Sequence, residues 1–169
     1  MGTKPEQGKA TMAGVEVSVY AHATEDEGRV EQAVMNMIPV EAREGGLKVR
    51  KLTGHHGGPI LLMTTRIRNR KKAEEIFYNI VRSMASIDRL TLSEGAGDRV
   101  DERGNLYLRL DKQRAYARGA KLKNVDPIRI KFRFRIPHGS DPAGAVGNYI
   151  TGVIDEIENG SRVDEEEGL

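Results

Sequence analysis

Arg129, Lys131, Arg133 and Arg135 alternate with Ile128, Ile130, Phe132, Phe134 and Ile136. Side chains alternate across a strand, so the four cations share one face, about 6.6–7 Å apart. That spacing roughly follows the phosphates of a nucleic-acid strand. Like charges in such a row repel one another unless an anion lies against them. Two readings stay open here: a surface for a polyanion, or a solvated outer face neutralised by acidic neighbours. Residues 106–135 hold ten Lys/Arg against two Asp/Glu, while residues 136–169 hold one against eight. A block this basic in a chain of net charge +2 asks for an anionic partner, and the acidic C-terminal stretch is the internal competitor.

A second basic segment runs from Arg109 through Asp111, Lys112, Gln113, Arg114 and Tyr116 to Arg118. Arg and Lys hold phosphates, an amide such as Gln113 reads a base edge, and an aromatic such as Tyr116 stacks on a base. The alternative makes Tyr116 a core or sheet-edge aromatic with its hydroxyl hydrogen-bonded. Gly54-His55-His56-Gly57-Gly58 forms a third candidate. Adjacent imidazoles on an extended loop point apart and rarely chelate one ion. His55 and His56 therefore either face phosphates or bases, or sit in a structural turn whose glycines supply unusual backbone angles. Arg66 to Lys72 places five cations in seven residues, either as an anion site or as solvated charge at a junction.

Enzyme signatures are missing: no phosphate loop, dinucleotide fingerprint, nucleophile elbow or His-Glu-x-x-His. With no cysteine there is no disulfide, thiolate nucleophile or thiolate zinc site. The expectation is no catalytic residue, no bound metal and no cofactor.

The elements that must carry these residues are legible as periodicities. Val15, Val17, Val19 and Ala21 alternate with polar neighbours and predict a first strand. Thr24 with Glu27 reads as a capping box opening a helix that ends before Pro39. Leu47–Thr53 and Ile60–Ile67 predict a hairpin around the glycine-rich loop. Arg70–Ala85 carries a helical stripe, and Ser86 is placed to cap a short helix to Leu92. Residues 93–104 read as a loop ending in strong turn chemistry. Leu106–Leu110 and Ile128–Ile136 predict two more strands, with Asp111–Gly119 open between a kinked strand and a helical turn. Asp141 and Pro142 begin a last helix to about Glu158, with Gly160 as its stop. The three glycines inside that helix suggest close backbone packing on the sheet. Together these predict an α+β, two-layer fold: a mainly antiparallel sheet with helices packed on one face.

A chain of 169 residues, 38% hydrophobic and 31% charged, suits one domain with tails. The expected division is a mobile tail over 1–12, a domain over 13–159 and an acidic tail over 160–169. No apolar run approaches the roughly 20 residues of a membrane helix, and no apolar leader precedes the first strand. A cytoplasmic setting is expected.

Three stretches, Val19-Tyr-Ala-His-Ala-Thr-Glu-Asp-Glu27, Leu52-Thr-Gly-His-His-Gly-Gly-Pro-Ile60 and Gly104-Asn-Leu-Tyr-Leu-Arg-Leu-Asp-Lys-Gln-Arg-Ala-Tyr116, resemble an archaeal family of RNA-binding proteins, or predicted exosome subunits. The resemblance runs from about Val15 to Ile136 and is specific only as a set. Gly58 stands where Asn is usual, and Arg114 where a small residue is common. The resemblance implies RNA as ligand, association with RNA processing, and a fold like that of the ribosomal protein holding the small large-subunit RNA. His22, His55, His56, Asp111, Lys112, Gln113 and Tyr116 match its motifs. The expectation is thus a non-enzymatic RNA-binding protein, with contacts from His55, His56, Arg109, Lys112, Gln113, Arg114, Tyr116, Arg129, Lys131, Arg133 and Arg135. Its rivals are a protein-interaction subunit of an RNA-processing complex and a metal-dependent nuclease using a histidine and a carboxylate. A homodimer through a sheet edge is compatible with such a fold, and no particular residue calls for it.

Overall fold

The computed structural model describes residues 8–43, 45–53 and 58–167, with side chains only as far as residue 160. Five strands and six α-helices follow one another along the described residues. They are β1 (Thr11–Ala21), α1 (Glu27–Met37), β2 (Lys48–Thr53), β3 (Pro59–Ile67), α2 (Arg70–Ser83), α3 (Ser86–Glu94), α4 (Ala96–Arg99), β4 (Asn105–Leu110), α5 (Lys112–Tyr116), β5 (Ile128–Arg135) and α6 (Pro142–Glu167). The strands form one sheet in the order β2-β3-β1-β5-β4, and each named pairing is antiparallel. The expected α+β architecture is the one observed.

Alternation divides the sheet into two faces. Val15, Val17, Val19, Met63, Leu106, Leu108, Ile128, Ile130 and Phe132 all turn inward and are buried. Their registers agree, since Val17 lies opposite Ile130 and Leu108 opposite Ile130 on its other side. The helices close over this face. Phe77 of α2 meets Phe132 edge-on at 5.1 Å, and Tyr149 of α6 meets Phe134 at 5.0 Å, so both helices are locked onto β5. A fully buried phenylalanine contributes about 1.5–3 kcal/mol by area alone, and an aromatic pair adds about 0.5–1.5 kcal/mol. Among the described residues no polar or charged residue is fully buried, so the core is apolar throughout.

Several local expectations are corrected. The cap of α1 is Asp26, whose carboxylate accepts from the Arg29 amide, not Thr24. Glu25, not Glu27, reaches back, to the His22 amide at 3.0 Å. Ser86 is the first residue of α3 and makes no capping bond; Ala85 precedes it as an uncapped N-cap. The stretch 93–104 contains the end of α3 and the whole of α4. Asp111–Gly119 takes the helical alternative: Asp111 caps α5 by accepting from the Arg114 amide. β1 begins at Thr11, with a bulge between Met12 and Gly14. Asp141 does cap α6, at 2.9 Å from the Gly144 amide, but the helix passes Gly160 and runs to Glu167. Gly147 and Gly152 are not there for close packing on the sheet. A Cβ on Gly147 would make ordinary contact with Ala96, and one on Gly152 would meet nothing within 4 Å. Gly104 does need its type. Its φ is +86°, and a Cβ there would lie 2.5 Å from Ile136 Cγ1.

Candidate nucleic-acid interface

The sheet face away from the helices carries Arg129, Lys131, Arg133 and Arg135 of β5, as alternation predicts. Register adds their neighbours. Arg109 of β4 lies opposite Arg129, and Arg129 opposite Ser18. Ser18 in turn lies opposite Thr64, and Thr64 opposite Lys48. That row crosses all five strands without a carboxylate. The next row reads Tyr107, Lys131, Glu16, Arg66. Glu16 is the only carboxylate that the described strand residues place on this face. It is held by Arg66 at 2.7 Å and more loosely by Arg133 at 3.5 Å. Directly opposed like charges destabilise a sheet, and neither Arg109 nor Arg129 has a carboxylate partner among the described residues. An open groove of about 1030 Å³ runs along these rows, lined by Lys48, Arg66, Arg109, Arg129 and Lys131 among others.

Two tyrosines interleave with the cations. The Arg129 guanidinium lies 5.8 Å from the Tyr20 ring centre and the Lys131 ammonium 5.9 Å from that of Tyr107. The alternation of β1 and β4 already set both rings outward. Their place beside the basic strand depends on strand order, which single-strand periodicity does not contain.

Tyr107 is 44% exposed yet held in place. Its hydroxyl donates to Asp101 Oδ2 at 2.9 Å. The same carboxylate accepts from the Arg103 and Asn105 amides and from Asn105 Nδ2. Burial alone would push the Asp101 carboxyl up. The bonds from Asn105, Tyr107 and Arg103 outweigh burial and hold it down at about 2. The bond to Asp101 also raises the Tyr107 hydroxyl above its ordinary value. A carboxyl lower in the folded than in the unfolded chain stabilises above its unfolded pKa, near 4, and this is lost as pH falls through its folded pKa. The expected contribution is about 1–2 kcal/mol after solvent screening, lost between about pH 4 and pH 2. Urea unfolding of the protein and of Asp101→Asn at neutral pH and at low pH measures it. An equal acid loss in both proteins would refute the assignment.

Lys112 is placed unlike the other cations. Only 11% of its side chain is exposed. Its ammonium donates to the Tyr20 carbonyl at 2.6 Å, to Glu25 Oε1 at 3.0 Å and to Asp126 Oδ2 at 3.0 Å. His22 Nε2 bonds the other Asp126 oxygen at 2.9 Å. Asp126 has φ +46°, a left-handed conformation that a non-glycine residue adopts only at some cost. Burial pushes the Asp126 carboxyl up, and the bonds from His22 and Lys112 bring it net below its ordinary value. His22, Glu25 and Asp126 lie close enough together to hold a metal ion. The Lys112 ammonium already bridges the two carboxylates, so the cluster has its cation. It ties the end of β1, the approach to α1, the start of α5 and the approach to β5.

Gln113, Arg114 and Tyr116 are exposed on α5, which packs on α1 in the helix layer. Asn36 of α1 donates to the carbonyls of Ala115 and Tyr116, and the Arg29 guanidinium lies 5.9 Å from the Tyr116 ring centre. The fold thus brings Arg109, Arg129, Lys131, Arg133 and Arg135 together on the sheet and sets Gln113, Arg114 and Tyr116 apart from them. His55 and His56 lie outside the described residues. In the Arg66–Lys72 segment, Arg66 belongs to the sheet face, Arg70 pairs with Glu74, and Asn69 caps α2.

A family model described as RNA binding matches residues 14–134. RNA-binding protein PAB1135 of Pyrococcus abyssi is 30% identical over 131 residues, covering 75% of this chain and 85% of that one. Protein MJ0213 of Methanocaldococcus jannaschii is 32% identical over 127 residues, covering 72% and 84%. The crystal structure of protein AF2318 of Archaeglobus fulgidus, from the family DUF54, superposes with a TM-score of 0.69 at 26% identity, covering 85% of this chain and 99% of that one. A DUF54 protein of Methanothermobacter thermautotrophicus has the same fold, with a TM-score of 0.68 at 24% identity, over 84% and 97%.

Proposed function

This chain belongs to the RNA-binding family, and we propose that it holds RNA across the open face of its sheet without catalysing a reaction on it. The observation that carries this reading is the row Arg109, Arg129, Ser18, Thr64, Lys48, three cations without a carboxylate. Two arginines opposed across neighbouring strands are unfavourable in the free protein, and a polyanion relieves them. Arg133 and Arg135 extend the track along β5, while Glu16 neutralises only Arg66 and part of Arg133. His55, His56, Gln113 and Tyr116 belong to the proposal as outlying contacts on the strength of the family motifs, and Arg114 as an exposed cation between two of them. Lys112 enters as the residue that positions α5. The proposal also places the protein in the cytoplasm beside an RNA-processing assembly such as the exosome.

Fluorescence anisotropy of labelled RNA across a salt series tests the reading. Neutralising phosphates releases counterions, with a slope of log K against log salt of about −0.7 per phosphate for single strands. An RNA crossing four cations of this face is expected to give a slope near −3 by that relation. No binding at low salt would refute the proposal. It would favour a protein-interaction subunit whose basic face meets acidic protein, or a second copy of the chain.

A further inference from the structure

Resting on that reading, we infer that the face takes single-stranded RNA, with unpaired bases stacked on Tyr20 and Tyr107 while the strand's phosphates lie on Arg109, Arg129 and Lys131. A duplex keeps its bases stacked inside and offers phosphates and 2′-hydroxyls, so an exposed Tyr107 and a half-buried Tyr20 on the open sheet face gain nothing from it. A single strand offers both charge and aromatic faces. This sheet presents both in alternation. Tyr107 lies directly opposite Lys131, and Arg129 reaches the Tyr20 ring from the strand between.

The two rings differ in how they are held, and both are prepared. Tyr20 lies opposite Leu62, with Ile60 next on the same face of β3, so the β3 side of it is apolar. Tyr107 stands on the outermost strand, where its hydroxyl is fixed by Asp101. That carboxylate also grips the turn that begins β4. An exposed aromatic ordinarily keeps much of its rotamer freedom; fixing it in advance lowers the ordering cost of binding. Register gives the separation. The residue of β1 level with Tyr107 is Glu16, two strands away, and Tyr20 lies four residues further along. Strand spacing and rise put the two Cα atoms about 16–17 Å apart. That is far too wide for one base and leaves room for further nucleotides between two stacked ones. Lys131 and Arg129 fill the interval, where the intervening phosphates would pass.

The test compares a labelled single strand of mixed sequence with a duplex of the same length. Its proteins are the full chain, Tyr20→Ala, Tyr107→Ala, Tyr20→Phe and the triple variant Arg109→Ala/Arg129→Ala/Lys131→Ala. Each tyrosine-to-alanine change is expected to weaken single-strand binding roughly 5- to 100-fold, with the salt slope unchanged, because stacking carries no counterions. Tyr20→Phe keeps the ring and should keep the affinity. The chain has five tyrosines and no tryptophan, so quenching of tyrosine emission by single-stranded RNA reads stacking directly. Circular dichroism melts establish that each variant is folded. Alanine variants that bind the single strand like the parent, while the triple variant does not, would overturn stacking and leave the sheet face standing. A triple variant that still binds like the parent would remove the sheet face itself. A parent protein that prefers the duplex would overturn the single-strand assignment.

Discussion

Lys112→Met is expected to lower the unfolding free energy by about 2–3 kcal/mol, a loss of roughly 5–10 °C in Tm for a chain of this size. Methionine keeps the apolar stem and removes only the charge. What remains is Glu25 and Asp126 facing each other without the ammonium that joined them, and a Tyr20 carbonyl without its donor. Breaking a wholly buried pair costs about 3–5 kcal/mol. Here the carboxylates keep 29% and 42% of their surface, so water recovers part of that. The acid branch of stability should change with it. Asp126 is held below its ordinary pKa, so it stabilises above its unfolded pKa and that contribution is lost as pH falls through its folded pKa. Without Lys112 one of the bonds that lowers it is gone, and the variant should lose less stability on acidification. Thermal melts of both proteins at neutral and acid pH measure both effects. An unchanged Tm would show that the ammonium is not the tie that its geometry suggests. RNA affinity measured well below the variant's Tm separates positioning from contact: a loss confined to temperatures where α5 loosens is the expected pattern.

This lysine marks where sequence reading stops. Its motif singled it out, but its partners lie 92, 87 and 14 residues away, and no local pattern predicts that a cation will be enclosed. The cation row of β5 was legible because a strand declares its two faces in its own alternation. Tyr20 and Tyr107 obey the same alternation, yet their meaning depends on β1 lying beside β5 and β5 beside β4, pairings between distant parts of the chain. The types of the longer elements followed from periodicity, but the short helices α4 and α5 and most element ends did not. Asp26 caps α1 in place of Thr24, and Glu25 bonds the His22 amide and Lys112, a partner far along the chain that no local pattern contains. Gly160 stopped nothing, since an exposed glycine costs a helix only about 1 kcal/mol, which adjoining turns can absorb.

The cations of the sheet face should behave in the opposite way to Lys112. Arg109→Ala/Arg129→Ala/Lys131→Ala is expected to cost RNA affinity at least a hundredfold at moderate salt and to leave stability unchanged or slightly raised. Arg109 and Arg129 are opposed like charges across the register, so their removal relieves repulsion, offset by the loss of two weak cation–π contacts. Three fewer phosphate contacts reduce the slope of log K against log salt by about 2 for a single strand, so the deficit is largest at low salt and shrinks as salt rises. A solvated outer face, the bland alternative for such a row, predicts no change in affinity and none in slope. A protein partner would leave RNA binding as weak in the parent as in the variant. Anisotropy of the same labelled strand with parent and variant, read at several salt concentrations, separates the three. The salt slope is the decisive quantity, because a variant that merely misfolded would lose binding without a graded return toward the parent's behaviour as salt is raised.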